Sequence, residues 1–387
     1  MLLYAYKFIS GDIMYCDKLT FNKDGKFRIM QIADVQEGAR VSPDTLRLMK
    51  LALEQEKPDL VVFTGDQIYG VHPSFYKGDK KQNAVGTIKE IIKPVEQAGV
   101  PFAVTFGNHD CQIGLSNSEQ AEIYNESDFA VHGDYFSECD KGSFRLPLYD
   151  KDRHVFDVYL IDSNGQTLTG EYLPVTEEQL ECFKAEREKG KEDGRYTPGI
   201  VFQHIPVPEF FDVLKRVKFG TRGAVEAFRT HKGEFYVLPD HIKNAGGFMG
   251  ESPAIPDRNS GEFDVLKEKG NILGIIVGHD HINSFVGEKD GIKLIYTQCA
   301  GFHVYGPKLK RGMRIIDLDT SDLNSFSTHT VTYEELTTEK LSDPIGEFIL
   351  THIPTSMEQV KRLAIAAAIG GTAAAITAAV LMSKRKK

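Results

Sequence analysis

Five short apolar runs in this chain each stop at a residue carrying an oxygen or nitrogen donor, and this recurrence limits the possible folds more than any other feature. The runs are Phe27-Arg28-Ile29-Met30-Gln31-Ile32-Ala33 before Asp34, Leu60-Val61-Val62-Phe63 before Gly65-Asp66, and Phe102-Ala103-Val104-Thr105-Phe106 before Gly107-Asn108-His109-Asp110. Ile200-Val201-Phe202 then precedes Gln203-His204, and Ile272-Leu273-Gly274-Ile275-Ile276-Val277 precedes Gly278-His279-Asp280-His281. Short continuous apolar runs read as strands covered on both faces. Helical patterns lie between them. Ser42-Pro43 supplies an N-cap and a first helical residue, with Leu46, Met49 and Leu53 on one face and Pro58 as a stop. Further helices are expected around residues 85–97 and 176–189, and further strands at 155–161, 292–296 and 313–318. Alternating strands and helices predict a layered α/β domain, in which polar side chains collect beyond the carboxyl ends of the strands. Asp34, Asp66, Asn108, His204, His279 and His281 are therefore expected to meet at one edge.

Aspartate, asparagine and histidine form a mixed oxygen and nitrogen set that suits Fe, Mn or Zn better than Ca or Cu(I). Six such residues exceed what one ion needs. Two divalent or mixed-valence ions are the natural occupants, with Asp66 as the bridge between them. Such a pair binds a phosphate ester and makes a metal-bridging hydroxide available near neutral pH. His109, next to Asn108, is placed to protonate the leaving group, and Asp110 is expected to orient its imidazole.

These motifs, in this order, resemble those of the calcineurin-like metallophosphoesterases, whose signature runs D-x-H, G-D, G-N-H-D/E, a lone H and G-H-x-H. They stand here as Asp34-Val35-Gln36, Gly65-Asp66, Gly107-Asn108-His109-Asp110, His204 and Gly278-His279-Asp280-His281. Gln203-His204-Ile205-Pro206-Val207-Pro208-Glu209, Ile282-Asn283, Tyr305-Gly306 and Arg311-Gly312-Met313-Arg314 look like the small purple-acid-phosphatase-related branch. The resemblance covers roughly residues 25–320. It implies a β-sandwich of two mixed sheets flanked by helices, and a metal-dependent phosphoric ester hydrolase acting on monoesters. It also implies one ion on Asp34, Asp66 and His281 and a second on Asp66, Asn108, His204 and His279.

One position departs from the pattern. Gln36 replaces the histidine of D-x-H, either as a weaker amide ligand or as a polar residue merely tolerated there. Purple acid phosphatases, which also lack that histidine, use the tyrosine of G-D-x-x-Y, and Gly65-Asp66-Gln67-Ile68-Tyr69 has this spacing. Tyr69 is thus a candidate phenolate ligand, which would favour Fe(III) and a visible charge-transfer band. By the same resemblance, the loop carrying His303 could face the substrate. Lys308, Lys310, Arg311 and Arg314 read as a solvated basic hairpin, and Cys111 as a packing residue. Two alternatives stay open: a phosphodiesterase with the same site, and a membrane-tethered, non-catalytic metal-binding scaffold.

A net charge of −9 with no basic stripe argues against a nucleic-acid partner. The expected partner is a phosphorylated small molecule or a phosphoprotein. Five scattered cysteines without C-x-x-C spacing fit a reducing compartment, and residues 1–15 lack the pattern of a secretory signal. A cytoplasmic location is expected. The catalytic domain is read as residues 22–335 and a linker as 336–360. Residues 361–387 read as an Ala-rich hydrophobic tail helix, with twenty uncharged residues at 363–382 before a basic C-terminus. That length is enough to cross a ~30 Å hydrocarbon core, so the tail is expected to anchor the chain to a membrane.

Overall fold

The computed structural model describes residues 5–9, 12–16 and 18–352. The expected tail helix lies outside them, and among the described residues no helix is long and apolar enough to cross a membrane. Following the hairpin Ala5–Ile9 with Asp12–Cys16, the main elements are β1 (Lys26–Ile32), α1 (Pro43–Glu56), β2 (Leu60–Thr64), α2 (Lys80–Gln97), β3 (Phe102–Thr105), β4 (Asp140–Asp150) and β5 (Arg153–Leu160). Then come α3 (Glu177–Lys189), β6 (Gly199–Phe202), β7 (Ile272–Val277), β8 (Asn283–Lys289), β9 (Ile292–Tyr296), β10 (Gly312–Asp319), β11 (Ser327–Thr332) and α4 (Pro344–Thr351). The Ser42 hydroxyl caps α1 by accepting from the Asp44 N–H, and Lys57 ends that helix in a left-handed conformation. α2 begins earlier than its apolar spacing predicts, because Asp79 caps it by accepting from the Gln82 N–H.

Two mixed sheets result, as expected. The five-stranded sheet has the order β11-β10-β1-β2-β3, with β1, β2 and β3 parallel and β10 antiparallel to β1. The nine-stranded sheet runs β8-β9-β7-β6-β5-β4, with Phe248–Met249 outside β8, and Leu19–Thr20 and Tyr135–Ser137 on β4. Its centre, β9-β7-β6-β5, is parallel. Alternation along β1 explains the layering. Phe27 and Ile29 point into the space between the sheets with Leu60, Val62, Phe156, Val158 and Ile276. Met30 and Ile32 point outward against Leu48, Met49 and Ile88 of α1 and α2. On the far face, Leu180 and Phe183 of α3 cover Val201 and Ile275. All parallel strands are therefore covered on both sides and end at the same edge.

The basic segment differs from its expected form. Only Lys308 and Lys310 are solvated, whereas Arg311 and Arg314 are buried. Arg311 donates to the carbonyls of Gly301 and Val304, groups that need a donor in a buried loop. Arg314 spans the sheets, donating to Ser284 Oγ at 3.0 Å, the Tyr296 carbonyl at 2.9 Å and Thr297 Oγ1 at 3.0 Å. Burial lowers its pKa to about 9. Cys111, read as packing, is exposed.

Glu262, at the start of helix Glu262–Glu268, is buried, and its Oε1 has no donor. Burial pushes its carboxyl up from 4.5 to about 8. A group raised in this way stays protonated in the folded chain while the unfolded chain ionises, so stability falls as pH rises from 4.5 towards 8. Glu262→Gln is expected to leave the thermal midpoint unchanged at pH 4. At pH 8 to 9 it is expected to stabilise the fold by a few kcal/mol, at about 1.4 kcal/mol for each tenfold change in the acidity constant. Melts across pH that run parallel for the two proteins would count against a buried neutral Glu262.

Candidate metal centre

The strand ends turn sharply towards one another and bury their donors together. Asp34, Gln36, Asp66 and His279 adopt φ of 52°, 42°, 52° and 74°, a left-handed region that costs non-glycine residues about 1–3 kcal/mol each. Two glycines make the convergence possible. A Cβ on Gly65 would lie 2.6 Å from the Gly107 nitrogen and 2.8 Å from the His204 ring, and one on Gly278 would lie 2.5 Å from Asp34 Oδ2. Neighbouring turns are tied through the backbone, with Asp34 N–H donating to the Gly65 carbonyl at 3.2 Å and Gln36 N–H to the Asp66 carbonyl at 2.8 Å.

Asp66, His204 and His279 offer ligand atoms that all lie within 4.8 Å of one another. His204 Nδ1 donates to the Thr64 carbonyl at 2.9 Å, which aims Nε2 at Asp66 Oδ2, 3.1 Å away. That Nε2 also faces His279 Nδ1 at 3.2 Å and Asp34 Oδ1 at 3.9 Å. His281 Nδ1 donates to the Tyr305 carbonyl at 3.0 Å, leaving Nε2 3.5 Å from Asp34 Oδ1. Asp34 therefore links His281 to the first three residues. Asp34 Oδ1, Asn108 Oδ1 and His279 Nε2 are buried without a hydrogen-bond partner. Unmatched buried polar atoms are costly, and cations at this edge would offer partners to the Asp34 and Asn108 oxygens and, once its proton is displaced, to the His279 nitrogen. The donor set fits metal ions.

Charge follows the same geometry. Burial disfavours a charged His204, but the Asp66 and Asp34 carboxylates raise it to about 10. Asp66, despite its own burial, is held well below the usual carboxylate range by His204 and His109. Burial, and then the charge on His204, push His279 well below its ordinary value. Burial likewise opposes charge on His281, yet Asp34 raises it.

His109 sits at this edge with its N–H bonded to Asp66 Oδ1 at 2.7 Å. Its ring is not oriented by Asp110. Nδ1 instead meets Gln112 Oε1 at 2.8 Å, one turn along the 3₁₀ helix Asp110–Ile113. The Asp110 carboxylate points inward and accepts from the N–H groups of Asp66 at 2.7 Å, Gly107 at 2.8 Å and Ile68 at 3.1 Å. Burial and the Asp66 charge push Asp110 up to about 7, against the pull of the Gly107 and Ile68 bonds. Gln36 lies within the cluster and donates Nε2–H to Asp66 Oδ2 at 3.0 Å. Tyr69 is half-buried, its ring perpendicular to that of His109 with centroids 5.0 Å apart. His303 is 38% exposed, its Nδ1 2.6 Å from a fully buried Glu37 carboxylate oxygen.

The family model for calcineurin-like phosphoesterases matches residues 27–283, which span every strand end that contributes a donor. The chain belongs to that family. Calcineurin-like phosphoesterases work with two metal ions, in keeping with the donor set above. An Arabidopsis thaliana relative named probable inactive purple acid phosphatase 14 is 28% identical over 335 residues, covering 75% of this chain and 74% of its own. Phosphatase DCR2 of Saccharomyces cerevisiae is 25% identical over 315 residues, covering 73% of this chain and 49% of its own. Among solved structures, a dimetal phosphatase from Danio rerio aligns with a TM-score of 0.47 at 14% identity, covering 79% of this chain and 99% of that one.

Around this phosphoesterase centre stand residues for which the sequence alone suggests no role. Tyr172 sets its ring edge-on to His279, with centroids 4.7 Å apart. Its loop is tied down, since Tyr172 N–H donates to Asp257 Oδ2 at 2.7 Å, and Arg229 joins Asp257 Oδ1 at 2.8 Å and the Gly170 carbonyl at 2.6 Å. Tyr305 stacks on His281 at 4.2 Å while its hydroxyl donates to Glu251 Oε2 at 3.0 Å. Tyr172, Asp257, Arg229 and Glu251 come from distant loops and carry no local signal, whereas Tyr305 stands in the Tyr305-Gly306 stretch of the resemblance. Gln112, three residues beyond His109, was visible in principle as a partner one 3₁₀ turn away.

Proposed function

We propose that this calcineurin-like chain hydrolyses phosphate monoesters with two metal ions. The observation that carries the reading is the group of buried, unpartnered polar atoms Asp34 Oδ1, Asn108 Oδ1 and His279 Nε2 at the strand ends that form the Asp66–His204–His279 cluster. Asp34, Asp66 and His281 would hold one ion and Asp66, Asn108, His204 and His279 the other. Such ions, as Fe, Mn or Zn, supply Lewis acidity towards phosphoryl oxygens and make water nucleophilic near neutral pH.

The remaining work falls to side chains. Water attacks phosphorus in line with the ester oxygen, the P–O bond breaks, and the leaving alkoxide takes a proton from His109 Nε2. Gln112 fixes the other nitrogen of that ring, so Nε2 is the one free to face substrate. The Glu37 hydrogen bond raises His303 above the ordinary imidazole value. A phosphorylated small molecule or a phosphoprotein fits this chemistry.

The test is turnover of an aryl phosphate by protein loaded with Mn or Fe. His109→Ala is expected to lower kcat by about 10²–10⁴, the usual range for a lost general acid, with metal content unchanged. Two bound ions and no hydrolysis with any metal would overturn the reading. A rate on an aryl diester exceeding that on the monoester would instead mark a diesterase. We further propose Tyr69 as a phenolate ligand of an Fe(III) ion. Its check is a visible absorption band that disappears in Tyr69→Phe, and a colourless active protein removes the assignment.

A second reading, a metal-binding scaffold without catalysis, is motivated by Gln36, whose amide occupies Asp66 Oδ2 with a hydrogen bond. The Arabidopsis thaliana relative called probable inactive lends it weight. Elemental analysis separates the readings: two ions per chain favour the enzyme, and one or none the scaffold.

A further inference from the structure

Helix α4 carries large apolar side chains where a small peripheral helix would ordinarily carry polar ones. Ile345, Phe348 and Ile349 are 73%, 61% and 57% exposed. Their i, i+3, i+4 spacing places them on one face. The helix packs against the turn Lys308–Lys310, which adds Leu309, 38% exposed, and two exposed lysines that form no ion pair among the described residues. An apolar centre beside cations that have no carboxylate partner among the described residues, Lys310 lying over the Phe248 ring, has the chemistry of a surface that seats in the headgroup layer of anionic lipid.

The sequence beyond α4 points to the same partner. Ten residues, 353–362, separate the described part from the uncharged residues 363–382, and Lys361-Arg362 precede that run while Lys384-Arg385-Lys386-Lys387 come after it. Ten residues reach at most about 35 Å, so an uncharged run lodged in a bilayer would hold α4 close to its surface. We infer that α4 and the turn Lys308–Lys310 form a docking face for an anionic lipid bilayer. This inference is independent of the catalytic reading. Arg311, at the end of that turn, reaches from the Val304 carbonyl towards Glu347 of α4, 3.9 Å away. The docking face therefore adjoins the loop that carries His303 and Tyr305.

The chain contains no tryptophan, so one introduced indole reports a single place. The full chain carrying Phe348→Trp is mixed with phosphatidylcholine vesicles, with and without phosphatidylserine. Leu168→Trp, at a fully exposed position, serves as the reference. The indole introduced by Phe348→Trp is expected to shift its emission to shorter wavelength and to be quenched by brominated acyl chains. The shift is expected to be larger with phosphatidylserine, lost when Lys308→Glu and Lys310→Glu are added, and absent in Leu168→Trp. Emission from Phe348→Trp that matches Leu168→Trp in both vesicle types overturns the proposal. Emission already shifted without vesicles also overturns it, because the face is then covered by the chain's own C-terminal residues or by a second copy.

Discussion

Asp66→Asn is expected to lose both metal ions and to lower kcat by about three orders of magnitude or more, some 4 kcal/mol at 1.36 kcal/mol per tenfold. The size of the effect reflects how many partners the carboxylate serves. Oδ1 accepts from the His109 N–H at 2.7 Å, and Oδ2 lies 3.1 Å from His204 Nε2 and 3.0 Å from Gln36 Nε2. An asparagine oxygen keeps the His109 bond. Its amide nitrogen then stands where Oδ2 stood, setting one N–H donor against that of Gln36 and removing the anion shared between the proposed ion sites. The fold has less reason to suffer, because the strands that deliver Asp66 are fixed by their apolar cores. Elemental analysis, aryl phosphate turnover and a thermal melt check the three parts. Retention of two ions with turnover within tenfold of the parent would remove Asp66 from the shared position.

Much of this site was legible because its causes are local. A strand covered on both faces reads as a continuous apolar run, and the motif at its end marks the edge where chemistry gathers. Asp34, Asp66, Asn108, His204 and the His279/His281 pair could therefore be assigned to one edge without knowing sheet order. The arginines were not legible in the same way. Arg311 and Arg314 look like a charged hairpin because the carbonyls they satisfy, at Gly301, Val304 and Tyr296, are fixed only by tertiary packing. Tyr172 was hidden for a similar reason, being brought to His279 by a loop clamped through Asp257 and Arg229. The exposed face of α4 is the converse case. Its apolar spacing is that of a buried helix, and only the structure reveals that the described residues leave it uncovered.

Asp110 shows how adjacency in sequence misleads, and it supplies the second large effect. Standing next to His109, it reads as the partner of that imidazole, but the 3₁₀ turn that begins there sends the two side chains apart. Its carboxylate closes three buried N–H groups, from Asp66, Ile68 and Gly107, and so joins the turns after β2 and β3. Asp110→Ala leaves all three donors unmatched. At about 1–3 kcal/mol for each, a loss of roughly 3–9 kcal/mol is expected, much of the stability of a typical domain. Asp110→Asn is the informative comparison, because its oxygen can still accept from Asp66 and Gly107, so only the Ile68 bond is lost, at about 1–3 kcal/mol. Denaturant midpoints are thus expected in the order parent, asparagine, alanine. Metal affinity is expected to fall in the same order, because the two turns that Asp110 joins carry Asp66 and Asn108. An asparagine variant with unchanged stability and metal content but slowed turnover would return Asp110 to a role beside the His109 ring. A graded loss of both places it in the frame that holds the donors together.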